Sequence, residues 1–519
     1  MAQHIEPTSF HPPSAVTWVG FIAMCVGMFM AILDVQVVAT SLPTIQQAIN
    51  IDPDQMSWIQ TVYLIAEVVA IPLTGLLTRV LTMRWLFVAS IGLFVVASAG
   101  CAASGNFSEL IAWRILQGFS GGTLIPSVFS AVFILFPNER QAIATTIAGV
   151  LAVLAPTVGP IIGGWLTSTY SWHWLFLINI VPGIISALLA WRLLPRQNGS
   201  GSELRELDGL SLAMMALALT SLELGLKEAP TQGWLSPYVL GLLLASLSCG
   251  AWFASRSLRR ARPIVELRHF RDRNFLVGSA LSFLLGIGLF GSVYLIPVFL
   301  AFIRGHNALE IGTTMLVTGV TQLIVAPIAV ALEKRTDPRL LSAVGFAVFA
   351  FGLGMSALQD PRSDYEAMFW PQVVRGAAIM FCLLPPTRLA LGSLPPAQVP
   401  DASGLFNLMR NLGGAIGIAM IDTIIYTRSE PLGQRLWDEL RAGDAATAAF
   451  VGAPADTINS AKGTLGPDAM AMLDPLVQTA ASVQAINEAW LIIALLTGCA
   501  LLFLPFARPE HRPSFDHQR

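Results

Sequence analysis

Asp34, Glu67 and Arg114 are ionisable side chains set inside long apolar stretches of the sequence. Charge surrounded by hydrocarbon is costly and persists where it pairs, carries a proton or binds something. Asp34 lies about eight residues from the end of its stretch and Arg114 about seven from the end of its own. On helices rising about 1.5 Å per residue, both sit ~10–12 Å deep. Equal depth and opposite sign predict an ion pair facing a central cavity. A carboxylate held by such a pair and released when the pair breaks has the behaviour of a proton-coupling group. The competing reading is a permanent bolt between two helices. Glu67, near the middle of its stretch, is a second candidate for proton coupling or gating, able to carry a proton or donate a hydrogen bond to a substrate; its passive alternative is to face Arg375 or an aqueous funnel.

Polar side chains on other apolar stretches extend the list of candidates. Gln36, Gln117, Tyr294, Arg375, Asn407, Arg410 and Asn411 are expected to line a substrate cavity. Arg410 and Asn411 precede Gly413, Gly414 and Gly417, whose lack of side chain lets helices approach closely. Gly159, Pro160, Gly163 and Gly164 form a segment able to kink and to press on a neighbour, a candidate hinge. Gly75, Arg79 and Arg84 mark a basic loop. Glu223 and Lys227, four residues apart, read as a self-satisfied pair. Asp422 reads as a helix cap.

The elements that must position these groups follow from composition. The chain has 519 residues, of which 54% are hydrophobic and 12% charged, and its mean hydropathy is +0.66. One membrane anchor cannot account for that over such a length, since a spanning helix takes ~20 apolar residues. Fourteen apolar runs of spanning length are predicted, at 17–42, 56–80, 84–104, 107–133, 140–166, 172–194, 207–226, 237–257, 273–303, 309–332, 339–359, 366–390, 400–427 and 485–507. The first is too long for a secretory core, contains Asp34 and follows a tail without Lys or Arg from Met1 to Ser14, so it is expected to remain in the mature protein. Lys and Arg concentrate in the loops after even-numbered runs, among them Arg79, Arg84, Arg140, Arg192, Arg196, Arg205, Arg256, Arg259, Arg260, Lys334, Arg339 and Arg388. The basic side is cytoplasmic. Both termini are then expected in the cytoplasm of a bacterial cell, with the chain in its inner membrane.

An internal repeat divides the runs. Pro72, Leu73, Leu77, Arg79, Arg84 and Leu86 recur at one constant offset as Pro327, Ile328, Leu332, Lys334, Arg339 and Leu341. Arg114, Gln117 and Gly118 have a looser echo in Gln372, Arg375 and Gly376. A layout of six, two and six helices is predicted: an N-terminal bundle over 1–195, a linker with two extra helices over 196–262, and a C-terminal bundle over 263–519. Such repeats are what transporters are built from. The polar linker 195–206 separates the first bundle from the extra pair. Residues 428–484 are expected to form a long outer loop holding a short amphipathic helix around Leu432–Arg441.

What the sequence lacks also narrows the function. It has only three lysines, Lys227, Lys334 and Lys462, and no phosphate-binding G-x-x-x-x-G-K-[ST] run, which excludes ATP hydrolysis by this chain. No hydrolase or metalloprotease motif is present, so an enzyme is not expected. The five cysteines all fall in apolar runs without metal-ligand spacing. A net charge of −2 with no basic patch offers nothing to nucleic acid. No cofactor or metal is expected, and an ion gradient remains as the energy source.

Several segments together resemble the fourteen-helix drug:proton antiporter branch of the major facilitator superfamily, close to its EmrB-like exporters. They are Leu33-Asp34-Val-Gln-Val-Val-Ala39-Thr-Ser-Leu42-Pro43, Trp113-Arg114-Ile-Leu-Gln117-Gly118, Ala155-Pro156-Thr-Val-Gly159-Pro160-Ile-Ile-Gly163-Gly164, and Trp172-His-Trp174-Leu-Phe176-Leu-Ile-Asn179-Ile-Val-Pro182. Arg375-Gly376 and Arg410-Asn411-Leu-Gly413-Gly414 complete the set. The resemblance covers nearly the whole chain. It implies an all-α integral membrane protein of two six-helix bundles plus two central helices, exchanging protons for small amphipathic organic molecules by alternating access, most simply in efflux. It implies Asp34 as the proton-exchanging group, Arg114 as its tuner, the lipid bilayer as surroundings, and a periplasmic adaptor protein as a candidate partner. Two motif positions depart from the family pattern: Gln36 stands where Thr is usual and Ala39 where Asn is usual. Thr82 also occupies the place of a usual Gly in the loop after the second helix. The altered cavity wall keeps open a second reading, specific uptake or exchange of a metabolite such as a riboflavin-like vitamin or a siderophore. A third is a membrane sensor with a transporter-like fold.

Overall fold

The computed structural model describes residues 14–51, 53–196, 208–333, 335–453 and 467–508. Most of the 195–206 linker, the Met1–Phe10 end of the tail, Arg205, Lys334, Lys462, Arg512 and Arg519 lie outside the described residues. What is described is helical throughout. Thirteen apolar helical segments have the length to cross a bilayer, and one of them, Met56–Ala103, has 48 residues. At about 1.5 Å per residue that is too long for one crossing. It breaks at Thr82, whose φ of 74° and ψ of 157° leave the helical region, and so makes two. Fourteen crossings result among the described residues, and the protein is a multi-pass membrane protein.

The first bundle comprises α1 (Ala15–Ile49), α2 (Pro53–Ala70), α3 (Thr74–Ala103), α4 (Phe107–Leu135), α5 (Asn138–Thr169) and a sixth crossing made of α6 (Trp174–Leu177) and α7 (Ile180–Leu193). Its helices start where short polar side chains cap free backbone N–H groups. Ser14 accepts from Thr17 N at the start of α1, and Asn106 from Glu109 N at the start of α4. Phe21, Phe87, Phe94 and Phe129 fill the core, none of them exposed.

An extra pair, α8 (Gly209–Gln232) and α9 (Pro237–Arg259), packs side by side. Asp208 caps α8 and accepts from Arg256 Nε of α9 at 2.6 Å. The hydrogen bonds from Arg256 and Ser211 hold the Asp208 carboxyl well below the usual carboxylate range. Lys227 pairs with Glu228 at 3.7 Å and stands 4.4 Å over the Trp58 ring, so the expected Glu223–Lys227 pair is not the one formed. A ring face and an adjacent acid already satisfy the ammonium.

The second bundle comprises α10 (Arg273–Phe302), α11 (Ala308–Glu333), α12 (Pro338–Met355), α13 (Tyr365–Leu391), α14 (Val399–Arg441) and α16 (Pro467–Gly498), with the short α15 (Ala445–Val451) between the last two. Phe299, Phe346, Phe349 and Trp490 anchor its core. The predicted outer loop 428–484 is corrected here. Helix α14 does not stop near 427 but runs on for 43 residues, roughly 65 Å against a hydrocarbon layer of about 30 Å. The segment Leu432–Arg441 is therefore its continuation, and α16 begins at Pro467, before the predicted start of the last run. Leu432, Leu436 and Leu440, spaced by four, form one apolar face that packs on Val477 and Ala481 of α16. Arg428 binds Glu488 at 2.7 Å across the same hairpin. The expected amphipathic helix around Leu432–Arg441 is present, but as the continuation of α14 and with α16 covering its apolar face.

Candidate functional site

The two bundles meet around a cavity of about 300 Å³. Its walls come from α1, α2, α4, α5 and α8 on one side and α10, α13 and α14 on the other. Most lining side chains are aliphatic, with Phe290 as the aromatic; the polar ones are Gln36, Thr61, Glu67, Glu223, Lys227, Arg410, Asn411 and Asp422. At the end of the molecule that holds the Arg79 turn the cavity is shut. Val68, Ile71 and Leu408 close over it, Ser403 donates to Pro126 O at 2.9 Å, and Arg79 pairs with Asp401 from the other bundle. Gly75 permits that latch, since a Cβ there would collide with the Asp401 backbone and carboxylate.

Behind the cavity wall lies a polar cluster wholly inside the first bundle. Asp34 Oδ2 and Arg114 Nη1 are 2.5 Å apart, with neither side chain exposed. Arg114 Nη1 also donates to Gln117 Oε1 at 2.7 Å, and Arg114 Nε to Ile59 O at 3.1 Å. Gln117 Nε2 and Asn179 Nδ2 both donate to Asp34 Oδ1, at 2.9 and 2.8 Å. Ser98 Oγ accepts from Gln117 at 2.9 Å. The guanidinium lies 4.3 Å over the Tyr63 ring. Three donors thus replace water around the Asp34 carboxylate, the condition under which a buried ion pair survives. Arg114 Nη2 alone has no partner.

A family model described as Major Facilitator Superfamily matches residues 24–418. The chain belongs to the major facilitator superfamily. The colistin resistance protein EmrB of Acinetobacter baumannii is 40% identical over 427 residues, covering 82% of this chain and 83% of that protein. The multidrug export protein EmrB of Escherichia coli is 30% identical over 413 residues, 79% and 80% of the two chains. The fatty acid resistance protein FarB of Neisseria gonorrhoeae is 30% identical over 426 residues, 81% and 83%. Among solved structures, the human organic anion transporter MFSD10 superimposes with a TM-score of 0.57 at 14% identity, covering 94% of this chain and all of that one. The proton:xylose symporter XylE gives 0.58 at 13%, covering 96% and 97%. These last two speak for the fold alone.

Within this member of the superfamily, the predicted site residues fall into separate places. Gln36, Glu67, Arg410 and Asn411 line the cavity. Asp34 and Arg114 pair but are not among the residues that line it. Gln117 belongs to their cluster, not to the cavity wall. Asn407 is buried behind the wall, donating to Ser403 O at 2.8 Å and accepting from Arg410. Tyr294 also sits one step behind, its hydroxyl donating to Asp422 at 2.6 Å, so Asp422 is a cavity group and no cap. Arg375 is remote: it stacks 4.9 Å from the Trp490 ring inside the second bundle and donates to Pro371 O, and Glu67 does not face it. Arg84 is buried beside Trp85. In α5, Gly159 backs onto Gln36, where a Cβ would come within 2.5 Å of the Gln36 Cβ. Pro160 and Gly163 are buried and Gly164 half-buried, in the helix that packs on both α1 and α11.

Sequence reasoning did not bring Asn179 and Ser98 to the site, and it gave Glu223 and Asp422 other tasks, a pair with Lys227 and a helix cap. Asn179 had a signal, since it lies in the conspicuous Trp172–Pro182 segment at the break between α6 and α7, where the chain turns its amide toward Asp34.

Proposed function

We propose that this chain is a proton-coupled exporter of small amphipathic organic molecules, working by alternating access. The observation that carries the reading is the Asp34–Arg114–Gln117–Asn179 cluster standing directly behind a cavity that both bundles line. Protonation of Asp34 would cancel the charge that Arg114 and two amides are arranged around. The cluster must then repack, and α1, which carries Asp34 on one face and Gln36 on the cavity face, transmits the change. The α5 segment from Gly159 to Gly164 lies between α1 and α11 and is the natural pivot. The names of the relatives, a multidrug exporter and two resistance proteins, support export over uptake.

In this reading the chain sits in the bacterial inner membrane with both termini cytoplasmic, because the arginine-rich turns share one end. The closed, Arg79-latched end is then cytoplasmic and the cavity belongs to an outward-directed state. The α14–α16 hairpin extends on the outer side and is the surface a periplasmic adaptor protein would grip. No cofactor is required beyond the proton gradient.

Purified protein in liposomes holding a pH-sensitive dye tests the coupling. Adding a transported amphipath to the outside of liposomes without a pre-set gradient should drive a counterflow of protons. Transport that continues at full rate with no proton movement would sink the reading.

A further inference from the structure

The cavity holds two carboxyl groups that the coupling cluster does not use. Glu67 of α2 is nine-tenths buried, lines the cavity and has no hydrogen-bonding or ion-pair partner among the described residues. Glu223 of α8 is half-buried, lines the same cavity and is equally without one. Both open into the same cavity. Like charges facing each other across an apolar space are unfavourable unless something positive lies between them.

Neither cation of the cavity wall forms an ion pair with Glu67 or Glu223. Lys227 is engaged by Glu228 and the Trp58 ring. Arg410 donates to Asn407 and stacks 5.3 Å from the Phe129 ring. The third acid, Asp422, already accepts the Tyr294 hydroxyl. The lining parts of α1, α4, α5, α10 and α13 carry no charged group. The apolar wall of the same cavity includes Leu64, Val68, Leu289, Phe290 and Ile418. An anionic head beside Glu67 and Glu223 would meet two unpaired carboxyls, whereas a cation with apolar substituents would meet two acids and a greasy, partly aromatic wall.

We propose that Glu67 and Glu223 together bind the positively charged group of an amphipathic organic cation. The site rests on the reading of this cavity as the substrate cavity and gives the substrate class a sign. It also gives the extra helix pair a task. Two six-helix bundles need no α8 to rock against each other, yet α8 lies between α2 and α14 and carries Glu223 into the cavity. Trp234, just beyond α8, donates to Thr423 of α14 at 2.9 Å and helps hold it there. Selectivity for cations is thus built into the element that distinguishes fourteen helices from twelve.

Tetraphenylphosphonium and tetraphenylborate share a shape and differ in sign, so their binding to the purified full-length protein isolates charge recognition. The wild type should bind the phosphonium at least tenfold more tightly than the borate. That ratio should fall tenfold or more in Glu67→Gln and in Glu223→Gln, and Glu223→Asp should restore part of it. Glu→Gln keeps size and shape, and the Asp variant separates a lost charge from a lost fold. A ratio unchanged in both Gln variants, or a wild type that prefers the borate, overturns the proposal. Transport in liposomes is scored separately. A protein that moves amphipaths on a proton gradient with a charge-blind cavity sinks this inference and spares the exporter reading. A protein that binds the cation through both glutamates but moves nothing does the reverse.

Discussion

The two bundles answer the same repeat position in opposite ways. In the first, Arg114 and Gln117 sit one turn apart on α4 and surround Asp34. In the second, the order is swapped to Gln372 and Arg375 on α13, and α10, the counterpart of α1, carries no acidic residue at all. Arg375 is therefore held by a tryptophan ring and a backbone carbonyl, neither of which titrates, and Gln372 accepts from Thr318. One bundle holds a charge pair that a single proton can dismantle. The other has kept the arginine without an acid beside it. The same asymmetry reaches the turns. Arg79 bridges to the opposite bundle through Asp401, while the Glu333–Arg388 pair near the second turn stays within its own bundle. The repeat supplies two scaffolds, and the buried acid–arginine pair stands on one.

Breaking the acid should have the largest effect. Asp34→Asn keeps the side chain's shape but removes the exchangeable proton, and proton-driven flux in membrane vesicles should fall by about 100-fold with protein abundance unchanged, since a gated step of this kind contributes several kcal/mol. Near-normal flux would dissolve the contrast between the bundles. The two arginines give the next test. Arg114→Gln strands a buried carboxylate and should cost about 3–5 kcal/mol of stability, read as a large drop in unfolding midpoint. Arg375→Gln loses a ring contact worth about 1–2 kcal/mol and should leave flux within a few-fold of wild type. Equal losses in both would mean the second arginine has a partner in another state of the cycle.

How much of this was legible follows from which physical costs leave a trace in a single sequence. A charge in a membrane span is an anomaly in the chain itself, so Asp34, Glu67 and Arg114 stood out and the first and third could be paired by depth. The facing of a helix is not recorded in that way. Gln117 and Asn407 sit on apolar helices like true cavity residues, and only the packing shows them turned into the bundles. Arg375 copied a motif position without its acid, which made it look functional. The amphipathic stretch Leu432–Arg441 was legible, but not that it continues α14 and packs on α16, because a partner helix leaves no mark on the chain it covers. Glu223 was assigned to Lys227 by spacing, a rule for isolated helices that cannot see Trp58 on another one.

A smaller effect is expected at the latch between bundles. Arg79 is partly exposed, so its ion pair with Asp401 is worth on the order of 1 kcal/mol or less in stability. Its effect should instead appear in the balance of states. Arg79→Ala should raise the accessibility of a cysteine placed near Ser403 to a cytoplasmic thiol reagent several-fold, and no change would mean the bundles are held shut by the apolar contacts around Ile71 alone.

The smallest effect sharpens the comparison most. Thr82 and Asp337 are the same position in the two repeats, 255 residues apart as are Pro72 and Pro327. Thr82 has a φ of 74°, and its buried hydroxyl has no partner. Asp337 has a φ of −63° and caps α12 through Arg339 N. A β-branched residue in the region Thr82 occupies costs about 1–3 kcal/mol. Glycine relieves that but gives back about 0.5–1 kcal/mol through the freer unfolded chain. Thr82→Gly should therefore stabilise the protein by about 1 kcal/mol, and Asp337→Gly should destabilise it by a few tenths through the lost cap. Opposite signs in thermal unfolding of the two variants would show that the repeat has been strained on the side that carries the coupling cluster. A fall in stability for Thr82→Gly would mean that the threonine side chain holds the turn and that the two repeats differ here only in sequence.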